Sequence, residues 1–295
     1  MQVGIDVGAT KIESVVLEEN GNEKHRSRIS CPKEYTQIIT AIRDIHKQLE
    51  KEFKQELPIG VCHPGVHSPQ TGLVKNAPNI TWLEKKPFQS DLRKALGKEV
   101  FCENDANCFA LSEAIDGAGT HYKIVYGIIL GSGVGGGLVI DKKIITGSNG
   151  VAGEWGHNPL PWANEGELPG KKCYCGRTGC LETFISGPAI EREFKNLHGK
   201  NLNMKNIVKE SGAGNLKAEQ TIRKLEDRLA RALAHVINIL DPDSIVLGGG
   251  LSNIDRLYSN VPKIWAEYIF SDDVSTVLSK ARFGDSSGVR GAAWL

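Results

Sequence analysis

No apolar run in this chain approaches the roughly 20 residues that a membrane-spanning helix needs, so no helical span is expected. An excess of either charge is missing as well: 36 Lys and Arg face 35 Asp and Glu, a net charge of +1. That leaves no basic stripe for nucleic acid and no polybasic patch for a membrane surface. There is no low-complexity segment and no flexible interdomain linker. A disulfide framework is also lacking, since the cysteines number seven and are unevenly spread. Cys31, Cys62, Cys102 and Cys108 lie singly in strand-like or helix-like surroundings and read as small buried hydrophobes. The N-terminus reads at once as a strand, which leaves no signal peptide and makes the cytoplasm the expected compartment. What is present, 295 residues of 40 % hydrophobic and 24 % charged content, suffices for two ordinary lobes, each with its own core.

The most informative stretch is residues 3–17, VGIDVGATKIESVVL, because residues 126–140, YGIILGSGVGGGLVI, repeat its plan at a constant offset of 123 residues. Gly4 matches Gly127, Gly8 matches Gly131, and Leu17 matches Ile140. Each copy runs strand, glycine turn, strand, and the tip of such a hairpin can offer backbone N–H groups to a polyphosphate. Two copies predict two related α/β lobes clamping a nucleotide between them. Only the first copy is charged, at Asp6 and Lys11, where the second has Ile129 and Val134. Neither tip is a Walker A loop or a G-x-G-x-x-G turn opening onto a helix. Asp6 could hold magnesium through water, Thr10 and Ser132 offer hydroxyls, and Gly248–Gly250 supply a third glycine turn. A single glycine turn is more often a plain hairpin; the matched pair carries the weight.

Ile38, Ile42, Ile45, Leu49 and Phe53 recur at helical spacing and predict a helix over 36–54. PIGVCHPGV (58–66) reads as a buried strand, 87–97 as a helix, and EVFCENDANCFALSEA as a strand, a polar turn at Glu103–Asp105 and a helix from Ala106. A side chain at such a turn stands exposed at the strand end. The first lobe is expected over 1–116 and the second over 117–285, with 286–295 possible as a return to the first. Residues 147–180 lack periodicity and need some other support. A long helix follows over the repeat from Ile222 to Leu240, then a buried strand in DSIVLGGGLS (243–252).

Within the aperiodic region, His157, Cys173, Cys175 and Cys180 form H-x15-C-x-C-x4-C. Four such donors suit a closed, structural tetrahedral zinc. Free thiols and a disulfide are the competing readings. Zinc here would order a loop that carries Glu154 and Glu182. At the strand–helix turn, Asp105 can accept a proton from a hydroxyl attacking a phosphoryl group, or merely cap the helix. Asn104 can donate to and accept from a hydroxyl.

Taken together, GIDVGATK, ENDANCFALSEA, LGSGVGGGLV, GEWGHNPLPW, CYCGRTGCLETFISG, DPDSIVLGGGLS and GDSSGVRGAA resemble the ROK (repressor, open reading frame, kinase) family of sugar kinases over essentially the whole chain. The resemblance implies an α/β fold, the two-lobed actin-like ATPase (ribonuclease H-like) fold, with duplicated lobes and a zinc-bearing loop. It implies ATP-dependent phosphorylation of a hexose 6-hydroxyl, with magnesium and structural zinc. Asp105 would be the general base; Gly65, Asn79, Asn104, Glu154, His157 and Glu182 would hold the sugar. His157 would give one ring nitrogen to zinc and the other to the sugar. Asp6, Gly8, Thr10, Lys11, Gly131, Ser132, Gly133, Gly249 and Gly250 would face nucleotide and magnesium. A homodimer is implied too. EWGHNPLPW, KNAPNITWLEKKPF and GDSSGVRGAAWL look most like the bacterial fructokinase (mannokinase) branch, so D-fructose is the expected substrate and N-acetylglucosamine the next. CHPG (62–65) departs from the usual apolar-Pro-Gly and brings His63 either to the sugar pocket or to solvent or a hinge pairing. The family also holds sugar-sensing DNA-binding regulators with an N-terminal helix-turn-helix; with the first hairpin at residue 2, a regulator is not the expected reading.

Overall fold

A computed structural model describes the chain except residues 78, 79, 285 and 286. The chain divides into two compact units. The first comprises Met1–His121, Gly137–Ala152 and Arg282–Leu295; the second comprises Tyr122–Gly136 and Gly153–Ala281. A single cut after residue 116 is therefore not what the contacts give: Gly137–Ala152 groups with the first unit.

In the first unit, β1 (Gln2–Val7), β2 (Lys11–Leu17) and β3 (Glu23–Ser30) form an antiparallel meander, followed by helix α1 (Tyr35–Phe53). Strand β4 (Ile59–His63), the short pair β5 (Val66–His67) and β6 (Val74–Lys75), helix α2 (Phe88–Leu96), strand β7 (Phe101–Asn104) and helix α3 (Asp105–Ile115) come next. The main sheet has the order β3-β2-β1-β4-β7, with β1, β4 and β7 parallel. Val3, Ile5 and Val7 alternate onto one face and join Ile38, Ile42 and Leu49 of α1 and Leu92 of α2 in one core. The other face is paved with glycine. Gly4 and Gly60 are register partners on β1 and β4, and a Cβ on them would fall 2.1 Å from Val289 O and 1.9 Å from Ala292 O. The C-terminal helix Ser287–Ala293 can thus lie directly on the strands. Its own Gly291 touches α3 just as closely, a Cβ there falling 1.7 Å from Cys108 O.

The second unit repeats the plan. A second five-stranded sheet has the order β10-β9-β8-β11-β12: β8 (Ile124–Leu130), β11 (Ser244–Gly248) and β12 (Val277–Lys280) belong to the second unit, whereas β9 (Val134–Ile140) from Gly137 onward and β10 (Lys143–Ile144) group with the first. β9 is offset from β2 by the same 123 residues at both ends. Helices α4 (Glu182–Ile185), α5 (Gly187–His198), α6 (Met204–Gly212), α7 (Leu216–Leu240) and α8 (Arg256–Trp265) complete it. Asn215 caps α7 by accepting from Lys217 N and Ala218 N. α7 buries Ile222, Leu225, Leu229, Leu233, Val236 and Ile237 on one stripe.

α7 also anchors the aperiodic region. The buried Glu167 accepts from Arg228 Nε (2.8 Å) and Arg231 Nη2 (2.9 Å), while Arg231 Nη1 donates to the carbonyls of Pro161 (3.0 Å) and Trp162 (2.9 Å). These charges satisfy loop carbonyls that have no strand partner. Among the described residues no helix is long and apolar enough to cross a membrane.

Candidate functional site

Parallel strands end together, and the residues just past their carboxyl ends share one edge of the sheet. In the first unit Asp6, Cys62 and Glu103 are register partners and form one row across the sheet, and His63 and Asn104 pair in the next row, on the opposite face. Asn104, not Asp105, is the residue that caps α3. Its Oδ1 accepts from Ala106 N at 2.8 Å and Asn107 N at 3.4 Å. Its Nδ2 donates to Gly65 O at 3.0 Å. Gly65 sits at φ +84°, and a Cβ there would fall 2.7 Å from Lys75 O, so glycine is required at this turn. Asp105 is half-buried in the first turn of α3, with Oδ1 accepting from Ala106 N at 2.9 Å.

At the end of β1, burial raises the pKa of Asp6, opposed by the Cys62 thiol, which donates to Oδ1 at 3.0 Å. A desolvated carboxylate at a strand end is suited to a hard cation. Lys11 has a partner in its own sheet. It donates to the buried Glu13 at 3.0 Å, as Arg28 does at 2.8 Å, so its charge is already engaged. Gly8 N–H closes its own turn on Lys11 O at 2.9 Å, and Thr10 is exposed at the tip. His63 is fully buried and does not face solvent. Its Nε2 lies 2.9 Å from His67 Nε2 and its Nδ1 2.9 Å from Pro64 O. Burial, then the neighbouring His67, lowers its pKa to about 3. Asn79 lies outside the described residues.

In the second unit, four donors of His157, Cys173, Cys175 and Cys180 lie within 4.8 Å of one another. His157 Nδ1 is 3.6 Å from Cys173 Sγ, and Cys175 Sγ is 3.5 Å from Cys180 Sγ. Tetrahedral zinc with bonds of about 2.0–2.3 Å sets its donors roughly 3.5–3.8 Å apart, so the set fits the ion. The ring nitrogen expected to remain for a sugar, His157 Nε2, is 3.0 Å from the Tyr174 hydroxyl. The sequence offers Tyr174 only as a phenol between two cysteines of the C-x-C motif.

The loop that carries these donors is packed against the second glycine turn. Gly156 approaches so closely that a Cβ would fall 2.2 Å from Val134 O. Trp155 Nε1 donates to Gly135 O at 3.1 Å. Glu182 Oε2 accepts from Val134 N at 3.1 Å, and its Oε1 lies 3.9 Å from Cys173 Sγ. Glu182 therefore joins the Cys/His cluster to the turn. Burial raises the pKa of Glu154, with the nearby Glu182 adding to it and His157 opposing. Burial of its hydroxyl, then the charges of Glu182 and Glu154, push the pKa of Tyr174 up to about 12.

Beside the turn, Gly249 has φ +76° and backs onto Leu130, where a Cβ would fall 2.4 Å from the carbonyl oxygen. Gly131 and Gly250 face open space, with no atom within 4 Å of an added Cβ. Gly131 N–H is used within the turn, on Gly133 O at 3.0 Å, and Ser132 is exposed. Bare backbone at the ends of β8 and β11 lets a ligand come close.

A family model described as the ROK family matches residues 2–295. The N-acetyl-D-glucosamine kinase of Histophilus somni (strain 129Pt) is 38 % identical over 301 residues, spanning 100 % of this chain and 98 % of its own. The crystal structure of a ROK hexokinase from Thermus thermophilus superimposes with a TM-score of 0.88 at 29 % identity, covering 99 % of this chain and 96 % of that one. A ROK family glucokinase from Streptomyces griseus, solved with glucose and AMPPNP, gives 0.78 at 28 % identity, covering 99 % and 97 %. The α/β actin-like ATPase fold expected from the motifs is the fold of these neighbours.

Proposed function

The chain belongs to the ROK family, and from that membership we propose that it is an ATP-dependent sugar kinase whose substrate is N-acetyl-D-glucosamine, phosphorylated on its 6-hydroxyl. The observation that carries the substrate is the full-length relative at 38 % identity, an N-acetyl-D-glucosamine kinase. It reverses the order expected from EWGHNPLPW and its companion motifs, which put fructose first. Likeness to a glucokinase solved with AMPPNP supports ATP as phosphoryl donor.

Phosphoryl transfer asks the protein for alignment, charge neutralisation and exclusion of water more than for covalent chemistry. Asp105 takes the proton of the 6-hydroxyl as that oxygen attacks the γ-phosphorus. Asn104, fixed between the α3 cap and Gly65 O, orients the same hydroxyl region. In the second unit Glu154, His157 and Glu182 hold ring substituents, while Gly131, Ser132, Gly133, Gly249 and Gly250 lie along the nucleotide. Asp6 would hold magnesium, which would supply neutralisation of phosphate charge. His157, Cys173, Cys175 and Cys180 would hold zinc, whose part would be to order the loop bearing Glu154 and Glu182.

The test is ADP release with Mg-ATP against N-acetylglucosamine, glucose, mannose, fructose and N-acetylmannosamine, ranked by kcat/KM. N-acetylglucosamine is expected to rank first. Fructose in first place would restore the original order, and silence on every sugar would sink the kinase reading.

A further inference from the structure

His157 is expected to serve two ligands, one at each ring nitrogen. With Nδ1 turned to the thiolates, a neutral imidazole carries its proton on Nε2 and is a donor there. That donor is already taken: the Tyr174 hydroxyl lies 3.0 Å away. The phenol stands edge-on to the imidazole at 5.1 Å and 85°. Yet Tyr174 is 66 % exposed, so little packing holds it. It is carried by the turn between Cys173 and Cys175.

We propose that Tyr174 is a displaceable latch on the sugar site: its hydroxyl occupies His157 Nε2 in the free protein and must be exchanged for a substrate hydroxyl or acetamido oxygen when the sugar binds. This rests on the reading that His157 contacts the sugar. Each substrate must then outcompete an intramolecular partner for the same N–H. A hydrogen bond of this kind contributes about 0.5–1.5 kcal/mol, which corresponds to a roughly two- to tenfold handicap on affinity. The handicap weighs most on sugars that offer His157 a poor acceptor, so Tyr174 sharpens selection among hexoses. It is paid before chemistry and belongs in KM, not kcat.

The test compares the wild type with Tyr174→Phe, which keeps the ring and removes the hydroxyl. Sugar affinity is measured by calorimetry without nucleotide, and kcat and KM are measured for sugar and for ATP; zinc content is read by elemental analysis. The latch predicts a two- to tenfold lower sugar Kd and KM in the variant, with kcat and the KM for ATP within twofold and one zinc retained in both. Unchanged or weakened sugar affinity overturns it. A variant that has lost its zinc shows the hydroxyl to be a support for the ligand histidine, and overturns it too. If the wild type neither binds nor phosphorylates any sugar, the failure lies with the kinase reading itself, and is visible without the variant.

Discussion

Taking the pH from 8 to 4.5 should destabilise the first unit by about 3 kcal/mol through His63 alone. The ring is wholly buried at the end of β4, edge-on to Phe88 at 5.3 Å and bonded to Pro64 O and His67. Its pKa is about 3 in the fold, against about 6.5 in an unfolded chain. As pH falls, the unfolded chain takes up the proton first. The neutral ring's contribution is therefore complete above pH 6.5 and declines by about 1.4 kcal/mol per pH unit between 6.5 and 3. Two units, from 6.5 to 4.5, come to about 2.7 kcal/mol, a large share of the 5–15 kcal/mol typical of a domain. Urea unfolding of the wild type and of His63→Ile at both pH values measures this. Isoleucine fills the site without a titrating group, so the stability difference between pH 8 and 4.5 should shrink by 2–3 kcal/mol. Both proteins carry the same Cys/His cluster, whose own acid lability cancels in the comparison. An equal pH dependence in the two proteins would falsify the assignment of His63 as a buried neutral ring.

Asp105→Asn should lower kcat by a factor on the order of 10² or more while sugar KM changes little, as for a general base; a variant with near-normal kcat refutes that role. Chelation, or Cys175→Ser, should release zinc, expose residues 153–182 to protease and abolish sugar binding; a metal-free protein that keeps both its loop and its affinity contradicts the structural site. Gly156→Ala drives a Cβ into Val134 O at 2.2 Å and should lose activity with a stability cost of at least about 1–3 kcal/mol, readable by thermal unfolding. Gly291→Ala, with its Cβ 1.7 Å from Cys108 O, should unseat the C-terminal helix and raise amide exchange in β1 and β4.

Local pattern made much of this legible. The 123-residue offset foretold that two hairpins share a plan, and β2 and β9 keep that offset at both ends. The stripe from Ile38 to Leu49 foretold α1, and the polar turn before Ala106 foretold the start of α3. The cluster of His157 with three cysteines was readable because its spacing is short and its donor chemistry is narrow. Contacts between distant segments were not readable. Nothing near Lys11 announces that Glu13 is a buried acid shared with Arg28 across a strand pair. Nothing near His63 announces a partner four residues on, since β5 must first turn back to present His67. The choice between fructose and N-acetylglucosamine is not readable for a related reason: one acetamido group is distinguished by pocket geometry, which motifs do not encode.

The sequence by itself determined the repeated hairpins, the carboxylate at the strand–helix turn and the grouping of His157 with three cysteines, because each depends on residues close together in the chain and on their own chemistry. The tertiary structure alone decided that Gly137–Ala152 and the C-terminal helix belong with the first unit, that Gly4 and Gly60 form the floor beneath that helix, and that the Tyr174 hydroxyl meets His157 Nε2. Those outcomes depend on which backbones can approach and which donors find acceptors once the sheets have formed, and only packing supplies that.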